Sequence, residues 1–169
     1  LRVHLIPALF DIGLTEQMGA MILTVTLIIA GAGRLIGGFL GDVIGRRKVL
    51  ISALLGQATA VILLGFATST MDVYLFAIIF GVSFGARGTL LTVLRGDVFG
   101  PTNFSRLAGL MDPISSVSIV FSPLFAGYLF DTTGSYTVAF VVLGILNALG
   151  ALFVLGLEMN PETVPTDSS

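Results

Sequence analysis

Three ionisable side chains, Arg34, Arg87 and Asp112, stand inside stretches that are otherwise apolar. Arg34 lies eight residues before Asp42, and Arg87 eight residues before Arg95. On helices that rise 1.5 Å per residue, each guanidinium is then about 12 Å in from a charged hinge, and Asp112, about six residues into its own apolar stretch, is about 9 Å deep. Two cations and one anion therefore fall in nearly one layer. If their helices face one another, Asp112 neutralises one Arg and leaves a net positive site. A guanidinium fork matches a carboxylate bidentately, so small organic anions are the chemistry such a site would take. The same residues could instead form a buried Arg–Asp–Arg network that only latches helices together. Both readings stay open for Arg34 and Arg87, and Asp112 reads as a partner or gate more than as a ligand. The one histidine, His4, is of a type that titrates near neutral pH and could take part in proton coupling, although a lone histidine near an interface is more often a hydrogen-bonded or hydrated residue.

These charges need elements to carry them. Hydrophobic residues make up 55% of the 169 and charged residues 11%, with a mean hydropathy of +1.03. A soluble domain carries about 25% charged residues, so this chain could not cover its own surface in water. Lipid is the solvent that fits, and there a span needs about 20 apolar residues. Only helices and closed barrels span a bilayer. Long apolar runs without period-two alternation choose helices, so an all-α membrane protein is expected. Six segments are predicted: the end of a truncated helix over about 1–10, then 16–40, 49–67, 72–94, 105–130 and 136–157. Ser135 is a plausible N-cap for the last. Residues 158–169 are polar, hold two prolines and read as a disordered cytoplasmic tail. The chain opens on Leu1 rather than Met and shows no cleavable signal pattern, so it reads as a fragment.

The loops set an orientation. Arg46, Arg47 and Lys48 follow the second segment, and Arg95 and Arg106 follow the fourth, whereas the opposite loops hold no cation. Lys and Arg in short loops mark the cytoplasmic side, so loops 41–48 and 95–106 are expected there. Tyr74, Tyr128 and Tyr136 fall at the other ends, where an interfacial belt would hold them. Asn103-Phe104-Ser105 matches a glycosylation sequon but would face the cytoplasm, and it reads as chance. Gly33, Gly37, Gly41 and Gly45 recur every four residues, and Gly81 and Gly85 repeat that spacing. Small residues four apart share a helix face and let a second backbone approach closely.

The hinge itself, Gly38-Phe39-Leu40-Gly41-Asp42-Val43-Ile44-Gly45-Arg46-Arg47-Lys48, resembles the signature loop of the major facilitator superfamily, Gly-x-Leu-x-Asp-x-x-Gly-Arg-Arg. Gly38, Asp42, Gly45, Arg46 and Arg47 carry that resemblance and would form the gating loop. A second block, Ser122-Pro123 through Gly127 to Asp131-Thr132-Thr133-Gly134-Ser135-Tyr136, is similar to the eleventh-to-twelfth helix region of monocarboxylate and oxalate–formate transporters, with Ser122 where a Gly is usual. The opening Val3-His4-Leu5-Ile6-Pro7 and Asp11-Ile12-Gly13-Leu14 look like the end of helix seven in that branch. The resemblance implies the C-terminal half of a twelve-helix transporter, from late helix seven to helix twelve. It implies a secondary carrier of a small organic anion, a monocarboxylate above all, in the plasma or inner membrane, with the N-terminal half of the same carrier as partner. It also adds weight to Arg34 as the group that meets the substrate carboxylate. Animal relatives pair that Arg with an Asp one turn earlier, where this chain has Ala30, and oxalate carriers use a Lys in helix eleven that is absent here.

Other functions are excluded or unsupported. No cysteine is present, so disulfides and thiolate metal sites cannot form. No zinc, calcium or phosphate-loop motif occurs, and no metal or cofactor is expected. A net charge of −2 gives no sign of nucleic-acid binding. Gly81-Val82-Ser83-Phe84-Gly85 matches a nucleophile elbow in letters only, because it lies inside an apolar helix and lacks a triad. An enzyme is not expected. The alternatives to an anion carrier are a transporter of another small solute, with the inner charges as a latch, and a non-transporting half that binds a membrane partner.

Overall fold

The structure is a computed structural model that describes residues 15–133 and 136–156. The helix end expected at 1–10, His4 and the tail at 158–169 lie outside the described residues, as does the side chain of Asp112. Four α-helices follow in order: α1 (Glu16–Leu40), α2 (Arg46–Gly65), α3 (Thr70–Thr133) and α4 (Tyr136–Gly156), with a widened π turn over Gly41–Gly45 between the first two. No strand occurs among the described residues. The fold is all-α, and the stretches Gln17–Gly65, Thr70–Gly96 and Thr137–Leu155 are long and apolar enough to cross a membrane.

Local chemistry explains the starts. Thr15 caps α1, accepting from the Met18 amide at 3.4 Å. Ser69 and Asp72 cap α3 reciprocally: the Ser69 amide donates to Asp72 Oδ2 at 2.9 Å, and the Asp72 amide donates to Ser69 Oγ at 3.3 Å. Such a box pairs amide groups that the first helical turn leaves without partners. Hydroxyls within the helices donate back to their own backbone, as Thr26 does to the Ile22 carbonyl at 2.7 Å and Thr59 to Leu55 at 2.9 Å. A hydroxyl so engaged is tolerated among apolar neighbours.

The hinge differs from the expected loop over 41–48. Its residues stay helical, first as the π turn and then, from Arg46, as α2. The chain reverses at Gly45, the one described residue with positive φ, at 108°. A side chain there would be strained, whereas glycine adopts the conformation freely. Keeping the rest helical leaves few backbone groups unpaired.

The expected break at 95–101 is likewise helical, within the 64 residues of α3. Pro101 does not end it, although it withdraws one hydrogen bond. A straight helix of that length would extend about 96 Å. Yet Thr70 follows Gly65 by five residues, Thr133 precedes Thr137 by four, and Thr137 Oγ1 donates to the Gly65 carbonyl at 2.7 Å. Chain length alone keeps the two ends of α3 within about 40 Å. The element therefore turns back on itself.

Contacts fix the directions. An ideal Cβ on Gly33 would stand 2.5 Å from the Val82 carbonyl oxygen, and one on Gly41 would stand 2.6 Å from Leu90 Cδ2; between them Gly37 meets Ala86. So α1 and the first part of α3 run parallel, with Gly81 and Gly85 packed in return on Thr26, Ile29 and Ala30. Backbones this close gain dispersion contacts, the main attraction between helices that both face lipid. Helix α2 runs antiparallel to both, with Gly56 on Ser83 and Leu50 beside Leu90, and α4 returns along α2 with Gly144 on Ile62. One apolar cluster (Ile22, Val61, Leu64, Val73, Phe76, Phe140) fills the end away from the hinge, and a second (Val49, Leu50, Leu54, Leu90, Ala151) fills the hinge end. Leu35, Phe39, Phe66 and Phe153 point outward instead, each more than 60% exposed. Lipid or further helices, rather than water, suit such a surface.

Candidate substrate groove and hinge

Arg34 sits on α1 at the edge of the glycine seam. The α3 backbone touches the turn that carries it, because a Cβ on Gly85 would collide with the Ala30 carbonyl oxygen and stand 2.8 Å from the Arg34 amide nitrogen. From the other flank, Thr89 Oγ1 donates to the Arg34 carbonyl at 3.3 Å. The exposed Arg34 side chain lines an open groove of about 420 Å³ with Gly88, Thr89, Thr92 and Val93. Among the described residues Arg34 has no ion-pair partner, whereas Arg46 pairs with Asp42. A guanidinium on a braced backbone, in an open, largely apolar groove, can receive a carboxylate.

Arg87 is not part of that groove. At 100° per residue it is 200° around α3 from Thr89. Its guanidinium carbon lies 5.6 Å from the centre of the Phe84 ring, close enough for a cation–π attraction. Its Nε is buried without a hydrogen-bond partner among the described residues. The structure thus places the two arginines at similar levels along the helices but on opposite flanks of α3. Asp112, on the later part of α3, and His4 have no described side-chain geometry.

The hinge residues do come together. Arg46 donates to Asp42 Oδ1 at 3.2 Å, one turn apart across Gly45. Arg47 reaches the far end of the chain and donates to the Leu155 main-chain carbonyl at the end of α4. Lys48 is exposed, and Gly38 lies 3.7 Å, by its would-be Cβ, from Thr89 Cγ2. Because α3 runs against α2, Arg95 falls at this same end.

Thr89 and Thr92 were not picked out in the sequence. A hydroxyl pair three apart, beside Gly88 in an apolar run, marks one weakly polar helix face. Gln57 also escaped notice, although it is a lone amide in a span and only 2% exposed.

The chain matches the Major Facilitator Superfamily over residues 4–169. It is 29% identical over 179 residues to "Monocarboxylate transporter 12" of Xenopus laevis, an alignment that covers 99% of this chain and 38% of that protein. It is 31% identical over 159 residues to "Monocarboxylate transporter 13" of Rattus norvegicus, covering 90% and 37%. It is 30% identical over 118 residues to "Tetracycline resistance protein, class H" of Pasteurella multocida, covering 69% and 29%. The chain thus spans between 29% and 38% of the length of the monocarboxylate transporters it matches. With its signature hinge, its all-helical fold and its membrane-length apolar stretches, the chain belongs to the major facilitator superfamily and is an integral membrane protein of a carrier family, not an enzyme.

Proposed function

We propose that this chain is the C-terminal six-helix half of a secondary carrier for a small organic anion, a monocarboxylate above all, working by alternating access. The observation that carries this reading is Arg34, an arginine without an ion-pair partner among the described residues, lining an open groove at membrane depth. An ionisable group inside a membrane is costly and usually serves a substrate or a partner. Its planar fork holds a carboxylate by donating two parallel hydrogen bonds. The printed names of the monocarboxylate relatives agree with that chemistry. In such carriers the site lies near the midplane between two halves that rock about it. The missing half would supply the opposite wall of the groove.

On this reading α3 holds two spans, about 72–94 and 105–130, and turns near Arg95 to Pro101. The turn-back forced by the Thr137–Gly65 hydrogen bond supports the division. Segments 41–48 and 95–106 face the cytoplasm of a plasma or inner membrane, with the tail at 158–169 on the same side. Asp112 then returns toward the depth of Arg34 and Arg87 as a partner or gate, and His4 is a proton-coupling candidate. The likeness to a tetracycline resistance protein keeps a carrier of another small solute as the second reading.

The test is uptake by the full-length carrier in vesicles. Arg34→Gln abolishes carboxylate uptake while membrane insertion stays normal. Arg34→Lys weakens it, because an ammonium lacks the fork. Normal uptake by Arg34→Gln overturns the assignment.

A further inference from the structure

Between the two apolar clusters lies a layer that is not apolar. On α2 it holds Gln57, between Leu54 of the hinge-end cluster and Ala60 of the other. On α3 it holds Ser83 and Arg87, between Ala77 and Leu90. On α4 it holds Asn147, between Phe140 and Ala151. Asn147 lies seven residues after Phe140 and four before Ala151, so it shares the face that both bury. Gln57 is 2% exposed and Ser83 8%.

Two atoms in this layer lack partners among the described residues: Gln57 Oε1, an acceptor, and Arg87 Nε, a donor. Their side chains lean toward each other. Gly56 packs on Ser83, which sets the antiparallel register of α2 and α3. Helical side chains point back toward their own N-terminus. Gln57 therefore leans toward the hinge end, to the level of Ala86. Arg87 leans the other way, and its guanidinium over Phe84 shows that it does. An orphan donor and an orphan acceptor thus converge on one level from facing helices.

We propose that a buried water molecule bridges these two groups, accepting from Arg87 Nε–H and donating to Gln57 Oε1, with Ser83 or Asn147 taking its remaining hydrogen. Internal waters typically make about three hydrogen bonds to polar groups that otherwise have none. A polar atom left bare at this depth costs more than the bond itself contributes. The layer is then a hydrated latch between α2, α3 and α4. It stands on the flank of α3 opposite the Arg34 groove, and it makes Arg87 a positioning residue rather than a carboxylate ligand. The inference does not depend on the identity of the substrate.

The experiment compares Gln57→Leu, Arg87→Met and the double variant in the full-length carrier. Each single change strands the other group, whereas the double change removes both. The unfolding midpoint in detergent should fall in each single variant, and the double should lie at or above the lower single. Midpoint losses that simply add overturn the coupling. X-ray radiolysis of bound water should label Phe84 in the wild type and at least threefold less in the double variant; equal labelling overturns the water bridge. If the double variant still transports, its substrate KM should stay within twofold of wild type, and a tenfold rise makes Arg87 a ligand and overturns its positioning role. If the double variant does not transport, equilibrium binding of the wild-type substrate is measured in its place, with the same two outcomes.

Discussion

Arg47 donates to the main-chain carbonyl of Leu155, joining the hinge to the last turn of α4 across 108 residues of sequence. The acceptor is one of the carbonyls that every helix leaves unpaired at its C-terminus, where the dipole favours a cation. The signature hinge is therefore a fastening between helices as well as a turn. Arg47→Gln should lower the stability of the full-length carrier by about 0.5–1.5 kcal/mol, below the range for a bond from a charged group because this one is exposed. Lys48→Gln, at an exposed position, should change it little. Paired thermal-unfolding curves check the contrast.

Asp42 pairs with Arg46 at 3.2 Å, but both are partly exposed, at 69% and 37%. Exposed pairs contribute about 0–1 kcal/mol. Asp42→Asn should thus leave the unfolding midpoint nearly unchanged. If the hinge gates the conformational cycle, uptake should nonetheless fall several-fold. Uptake and stability measured on the same preparation separate a gating role from a structural one.

The glycine seam makes a sharper pair. A Cβ at Gly85 meets the Ala30 carbonyl, which is backbone and cannot swing aside, whereas a Cβ at Gly31 meets nothing within 4 Å. Gly85→Ala should destabilise the α1–α3 pair by about 1–3 kcal/mol, the usual cost of overpacking. Gly31→Ala should be neutral or stabilising by about 0.5–1 kcal/mol, from helix propensity. Because Gly85 also abuts the Arg34 amide, uptake should fall with it. Unfolding midpoints and uptake rates of both variants give the comparison.

What the sequence shows depends on how local the cause is. The bounds of α1 were legible because an apolar run starts behind Thr15 and ends at a glycine-rich hinge. A turn at the hinge was legible from its glycines and charges, although neither the single residue that makes the reversal, Gly45, nor the helical state of its neighbours was. Spacing along the chain gave Arg34 and Arg87 a common depth, but depth says nothing of azimuth. Only the packing of Gly33 on Val82 and Gly56 on Ser83 shows that α3 separates them. The Gln57 layer stayed hidden for a related reason. Each of its side chains is one polar residue in an apolar span, and it acquires meaning only when α2, α3 and α4 bring the levels together.

The groove beside Arg34 offers the last prediction. Thr92 lines it and donates to the Gly88 carbonyl at 3.0 Å. Its hydroxyl is therefore occupied by its own helix, and its main effect on a substrate is steric. Thr92→Val removes that hydroxyl at nearly constant volume and should leave uptake within about twofold, since a hydroxyl already bonded to its own helix has little left to offer a substrate. Thr92→Phe adds a ring to a space of about 420 Å³. Acetate-sized anions should still enter, while aromatic and branched carboxylates should lose at least tenfold in uptake relative to them. Competition assays across a series of carboxylates measure the ratio. A series shifted equally by Thr92→Phe would place the substrate elsewhere than in this groove.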